Sequence, residues 1–214
     1  MITDSFDLFM RLKALDLLGD SPRFWWPNAH TFEVVVGALL TQNTKWESVE
    51  KSLANLKSRH ILTPDNDESL QNLANSTPEM LMACIRASGF YTQKSHRLLA
   101  LAQHILEDFG DFASFVAGVE REWLLAQKGI GLESADAILN YACRREVMVV
   151  DRYTHRLVAR LGFEFEDYEG LQEWCMRGVG ENLHLLEGYE GLDEVFARFH
   201  GKIVEFSKRK LSLG

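Results

Sequence analysis

Apolar residues recur at helical spacing along nearly the whole chain. Phe196, Phe199, Ile203 and Phe206 form one stripe in "LDEVFARFHGKIVEFSKRKL"; Leu157, Val158 and Leu161 form another in "RYTHRLVARLG". Residues three, four and seven apart share a helix face, so each stripe predicts an amphipathic helix laid on a core. The helix starts and stops are punctuated. Thr31 caps "FEVVVGALLTQ", and Thr44 with Glu47 makes a capping box before "WESVEKSLANLKSRH". Thr77-Pro78 opens "EMLMACIRASG", which closes on Gly89. "TQKSHRLLALAQHILEDFG" reads as a long helix ending at Gly110, "GVEREWLLAQ" as a short one, and Leu132 to Cys143 as another. Asp151 starts the next. "LTPDNDES" is the clearest loop, and "VMVV" is too short to anchor a sheet. The predicted class is all-α, without internal repeats or low-complexity segments.

A chain of 214 residues suffices for one large domain or two small ones. Its longest apolar strings are far too short to span a bilayer, and its acidic start carries no cleavage site. Cys84, Cys143 and Cys175 are scattered singly, which fits a reducing cytoplasm and predicts neither a disulfide framework nor a zinc site. No metal is expected. The net charge of −8 argues against nucleic acid as a partner. Most of the acidic excess lies between Glu164 and Glu194, however, while "RFHGKIVEFSKRKL" is basic, so a local grip on a few phosphates stays open.

Two features exceed what a core requires. In Lys128-Gly129-Ile130-Gly131, glycines flank one apolar residue between two helical segments. The bland reading is a helix-ending glycine and a short turn. The sharper one is an anion site, in which glycine leaves amides unshielded, the following helix opens with unpaired N–H groups, and Ile130 plugs the seam. The second feature is Asp151, which follows Val147-Met148-Val149-Val150. Aspartate is among the best N-cap residues, and on sequence alone the cap is the simpler reading. "RFWWPN" adds a third oddity. Pro27 biases Trp26 toward an extended backbone, in which Trp25 and Trp26 point to opposite faces. One then packs in the core and the other lines a surface or pocket. Trp46, at the next helix start, is open to the same two readings. Lys202, beside the C-terminal stripe, either snorkels or, if buried, needs a carboxylate partner or covalent neutralisation.

"WLLAQKGIGLESADAILNYA" followed by "VMVVD" resembles the helix-hairpin-helix DNA glycosylase superfamily, whose best-known member is endonuclease III. "ALLTQNTKWESV" and "SGFYTQKSHRLLALA" match two further family helices in order, so the resemblance runs from about Thr31 to Leu161. The tail "ARFHGKIVEFSKRKL" and the tryptophan doublet are similar to the bacterial type III 3-methyladenine DNA glycosylases. The resemblance implies two helical subdomains with a cleft between them. One would be a six-helix barrel over 24–143 ending in the hairpin. The other would be discontinuous, 1–23 plus 144–214, and carry Asp151.

By the same resemblance Asp151 is the catalytic carboxylate. The base pocket takes Trp25, Trp26, Trp46 and Glu133, and DNA is held by Gln42, Lys128, Gly129, Ile130 and Gly131. Gln42 would fill the gap left by a flipped base. Lys128 replaces the family's proline before the hairpin. Glu133 stands where bifunctional members carry a Schiff-base lysine, so base release without strand cleavage is expected. The C-terminal region holds Cys175 alone, so no iron–sulfur cluster and no other cofactor is expected. The implied function is a monofunctional DNA glycosylase for alkylated purines, 3-methyladenine foremost, acting as a cytoplasmic monomer on double-stranded DNA containing alkylated bases. The alternatives are a glycosylase for another damaged or mismatched base and a non-catalytic DNA-binding module.

Overall fold

The computed structural model describes residues 2–213, and twelve α-helices and no strand occur among them. The chain divides into a central unit, Asn28–Ile138, and a terminal unit made of Met1–Pro27 and Leu139–Gly214.

The central unit holds eight α-helices where six were expected: α2 (Phe32–Leu40), α3 (Trp46–Ser58), α4 (Asn66–Ala74), α5 (Pro78–Ile85), α6 (Tyr91–Phe109), α7 (Phe112–Gly118), α8 (Arg121–Ala126) and α9 (Leu132–Ala137). The two that the sequence did not declare are α4, which opens inside a stretch read as loop, and α7, whose 7 residues are too few to show a period. α2 is buried along almost its whole length, through Val34, Val35, Val36, Leu39 and Leu40, and therefore reads as a continuous apolar run. The long α6 packs against α4, α5 and α7 and buries Leu98, Leu101, Ala102 and Ile105. Two local expectations fail. The stretch "LTPDNDES" is only half loop, because Asp65 accepts from the Glu68 amide at 2.9 Å and starts α4 at Asn66. Thr44 forms no capping box; Lys45 is the N-cap of α3, and the Thr44 hydroxyl donates to the Ser88 carbonyl at 2.6 Å instead.

In the terminal unit α1 (Ser5–Ala14) packs against α11 (Tyr168–Glu181) and α12 (Leu192–Lys208), and α12 also packs against α10 (Arg152–Arg160). Phe9, Phe196, Phe199, Ile203 and Phe206 lie in its core with Met148, Val150, Leu157 and Val158. The predicted boundary is displaced at both ends. Phe24 to Pro27 and Leu139 to Cys143 belong to the terminal unit, because Trp25 and Trp26 both pack on Tyr141. The sequence reading also passed over α11. Its acidic, glycine-bearing stretch hides the buried positions Leu171, Cys175 and Val179, whose four-residue spacing is helical. The expected helix over Leu132 to Cys143 changes to a π-helical turn at Ile138–Ala142.

Gly178 on α11 sets the closest approach to α1. A Cβ there would collide with the Ser5 hydroxyl, which donates to the Trp174 carbonyl at 2.8 Å. Gly178→Ala should therefore destabilise the protein by about 1–3 kcal/mol despite its better helix propensity. Urea denaturation monitored by circular dichroism measures this.

Candidate active site

Asp151 ends the buried extended run Met148, Val149, Val150 and caps α10. The capping is done by one oxygen. Oδ1 accepts from the Tyr153 amide at 2.9 Å, the Thr154 amide at 2.9 Å and the Thr154 hydroxyl at 3.1 Å. Oδ2 points the other way and lies 3.6 Å from Nε2 of His200, close enough for an ion pair but too long for a hydrogen bond. The carboxyl side chain is only 12% exposed. Burial opposes its ionisation, but His200 and the Thr154 amide and hydroxyl outweigh burial and hold its pKa below the usual value. The cap and a charged carboxylate are thus properties of the same residue.

The aromatic surroundings differ from the extended dipeptide expected of Pro27. Trp25 takes a left-handed backbone with φ 64°, and its amide donates to the Pro22 carbonyl at 2.7 Å. This turn lets both tryptophans reach one group: their ring centroids lie 6.2 Å (Trp25) and 5.0 Å (Trp26) from that of Tyr141. Trp26 is buried, whereas Trp25 is partly exposed and stands edge-on to His200 at 5.2 Å and 77°. Gly201 on α12 is required here, because a Cβ would run into the Trp25 indole.

Tyr141 and His200 complete a cluster that the sequence reading missed. The Tyr141 hydroxyl is 2.7 Å from Nδ1 of His200, and burial together with the Asp151 charge keeps it a phenol. The only sequence signals were a histidine inside the Phe196/Phe199/Ile203 stripe and a tyrosine in "ILNYA". Of the two readings of Lys202, the structure takes the buried one rather than snorkelling, with Nζ 6.0 Å from the Phe9 ring centre. Burial, with Arg198 and Lys13 nearby, lowers its pKa to about 8.

The hairpin belongs to the central unit, and Gln42 is tied to it. The Gln42 amide donates to the Gly129 carbonyl at 2.8 Å and to the Ser134 hydroxyl at 2.9 Å. Asp136, fully buried, receives a two-pronged contact from Arg121 at 2.8 and 2.9 Å, which clamps α9 to α8. Behind the Gln42 loop lies Lys94, also buried. Its ammonium donates to the Leu40 carbonyl, the Thr44 hydroxyl and the Ser88 carbonyl at 2.8–2.9 Å, and burial lowers its pKa to about 8. Ile130 is buried, while Lys128, Gly131 and Glu133 are exposed. Trp46, half-buried, is the first residue of α3.

The two hairpin glycines have separate duties. Gly129 has φ +87°, and a Cβ on it would meet the Arg97 guanidinium. Gly131 is the N-cap of α9 with an ordinary φ of −102°, and no atom lies within 4 Å of a Cβ built on it. Gly131 therefore leaves its backbone open to an approaching group, whereas Gly129 makes the turn.

The described residues thus set a glycine hairpin between short helices and a buried capping carboxylate at the head of α10. Residues 36–179 match the HhH-GPD superfamily of base excision DNA repair proteins, and the chain belongs to that family. Among solved structures it is similar to Helicobacter pylori 3-methyladenine DNA glycosylase (MagIII) bound to 1,N6-ethenoadenine. That match has 53% identity over 99% of this chain and 100% of the other, with a TM-score of 0.96. A Methanocaldococcus jannaschii protein provisionally assigned as a DNA repair glycosylase is 36% identical over 86% of this chain and 80% of its own length. Endonuclease III of Thermotoga maritima is 30% identical over 83% of this chain and 73% of its own length. A trapped endonuclease III–DNA intermediate, 17% identical with a TM-score of 0.69, shares the fold over 100% of this chain and 91% of that one.

Gly129→Ala should cost at least about 1 kcal/mol, from its positive φ and the displaced Arg97, while Gly131→Ala should leave stability within about 0.5 kcal/mol of wild type. Thermal melts of the two variants side by side test the division of duties.

Proposed function

We propose that this glycosylase is monofunctional and hydrolyses the N-glycosidic bond of alkylated purines, 3-methyladenine foremost. The observation that carries the reading is the buried, ionised Asp151 set beside His200, whose ring packs on the partly exposed Trp25. It is supported by 53% identity to a 3-methyladenine glycosylase along nearly the whole chain.

The chemistry follows from the substrate. Alkylation at a ring nitrogen makes the base cationic. When the C1′–N bond breaks, its electron pair neutralises the base, so no acid is needed to protonate the leaving group. Positive charge develops on the sugar. The Oδ2 oxygen of Asp151, which is not used in capping, stabilises that charge and takes the proton of the attacking water. Trp25 offers an aromatic edge and face to a flipped base, a cationic one above all, with Trp26 and Tyr141 behind it as rigid support. Glu133, exposed in the first turn of α9, supplies no amine for a Schiff base, so the reaction stops at the abasic site. The four-cysteine cluster of some relatives does not fit this chain, whose three cysteines are buried at separate places. The reading includes no cofactor, and the protein acts as a monomer on damaged duplex DNA, with Gln42 taking the space of the flipped base. The hairpin holds a phosphate at the exposed Gly131 without reading sequence.

Asp151→Asn preserves the cap, since asparagine caps nearly as well. It should keep DNA binding and lose base release by about a hundred- to a thousandfold. Chromatography of free bases from methylated DNA measures this, and undiminished release would remove Asp151 from the mechanism. The same assay should show efficient release of 3-methyladenine and poor release of hypoxanthine, a neutral base on a stable bond. Borohydride should trap no covalent DNA adduct; a stoichiometric adduct would reveal a lyase lysine elsewhere. Gly131→Ala should weaken binding to damaged and undamaged duplex alike, because a phosphate contact carries no information about the base.

A further inference from the structure

His200 enters the core of the terminal unit from α12 with 5% of its surface exposed. Both ring nitrogens are committed by position. Nδ1 is 2.7 Å from the Tyr141 hydroxyl, and Nε2 makes no hydrogen bond and faces Oδ2 of Asp151 at 3.6 Å. The ring is held edge-on against Trp25, with Tyr141 tilted against it at 6.0 Å.

Two proton arrangements satisfy the Tyr141–His200 pair. In one, the phenol donates to Nδ1, and the neutral ring carries its hydrogen on Nε2. In the other, the ring is an imidazolium, Nδ1 donates to the phenolic oxygen, and the phenol turns its proton to the Ala197 carbonyl at 3.3 Å. Both arrangements place an N–H on Nε2, facing the carboxylate. A bare Nε2 would set a lone pair against an anion in a dry site, which is costly.

We propose that His200 is a positioning residue for Asp151. Locked by Tyr141 and Trp25, its Nε2–H faces Oδ2 at ion-pair distance and favours the ionised carboxylate, and it thereby sets the acid limb of the pH profile of base release. The proposal rests on Asp151 being the catalytic carboxylate. Oδ1 is already occupied by three donors of α10, so the state of Oδ2 is left to His200.

The surrounding charges agree with this assignment. Tyr141, from the π-helical turn, remains a neutral phenol. Thr154 and the Tyr153 amide, from α10, are neutral donors. Arg23, from the segment before Trp25, is paired with Glu190 and Glu194. Lys202 on α12 responds to Arg198, Lys13 and Asp16. A depressed carboxyl pKa means that the ionised form, and the activity it supports, is present above that pKa and lost as pH falls through it. Without the Nε2–H, burial is less opposed and the acid limb moves to higher pH.

The test combines carbon-13 NMR titration of the Asp151 carboxyl in the free protein with single-turnover release of 3-methyladenine across pH. His200→Asn can still reach Tyr141 but has no atom at the Nε2 position, whereas His200→Gln restores an amide N–H there. We expect His200→Asn to raise both the Asp151 titration and the acid limb by about one pH unit or more. Substrate KM should be unchanged, and His200→Gln should return both midpoints most of the way to wild type. Tyr141→Phe, which unlocks the ring, should give a smaller upward shift. An Asp151 titration unmoved in folded His200→Asn overturns the proposal. So does a His200→Gln midpoint that moves as far as that of His200→Asn, since loss of ring packing would then be the cause. If His200→Asn does not fold, an unmoved titration in Tyr141→Phe overturns it. Asp151→Asn serves as the separate control: full base release there would end the catalytic reading of Asp151, while the carboxyl titration still decides what His200 does to it.

Discussion

A carboxylate can be kept charged inside a protein core only if its oxygens are given donors, and the terminal unit is organised around that requirement. Asp151 follows the buried apolar run Met148–Val150 and is itself largely shielded from water, where an unpaired anion would be neutralised. The start of α10 supplies two amides and a hydroxyl to one oxygen, and α12 brings an imidazole to the other. The same arrangement explains neighbouring choices that otherwise look unrelated. Gly201 makes room for Trp25, the left-handed turn at Trp25 brings its ring onto His200, and the π-helical turn carries Tyr141 to the far nitrogen.

The central unit solves a different problem, that of holding irregular backbone still. The loop after α2 carries Gln42 and a left-handed Asn43, and its polar groups are gathered by the buried ammonium of Lys94. Three acceptors around one lysine offset the loss of hydration that burial imposes, although not fully, as the lowered pKa shows. Gln42 then fastens this loop to the hairpin at the Gly129 carbonyl. The buried pairing of Arg121 with Asp136 holds α9 in the same way, and pairs of this kind cost about 3–5 kcal/mol when one partner is removed. The hairpin is thus rigid at its base and open at Gly131.

The acidity of the chain as a whole is less of an obstacle to DNA binding than its net charge implies. The acidic excess between Glu164 and Glu194 is spread before, along and after α11, and part of it is consumed internally. Arg23 pairs with Glu190 and Glu194, and Arg144 with Glu190 and Asp193. A backbone amide site at a hairpin needs no surplus of lysine, so phosphate recognition and net charge are separable.

The sequence alone determined what local rules govern. Apolar spacing marked α6, α10 and α12; Thr77-Pro78 and Gly110 marked helix ends; and the order of hairpin, apolar run and aspartate marked the family. Each depends on residues close together in the chain. What failed depended on partners far away. Thr44 left its capping box because Ser88 and Lys94 claimed its hydroxyl, and Trp25 left the extended backbone because Tyr141 and His200 offered its ring a seat. The two hairpin glycines look alike in the sequence, yet only Gly129 takes a positive φ, while Gly131 is an ordinary N-cap. His200 shows the limit most clearly: in the sequence it is one polar residue on an apolar stripe. Only packing brings its two nitrogens to residues 59 and 49 positions away, because side-chain contacts across helices depend on how the helices dock rather than on any spacing along the chain.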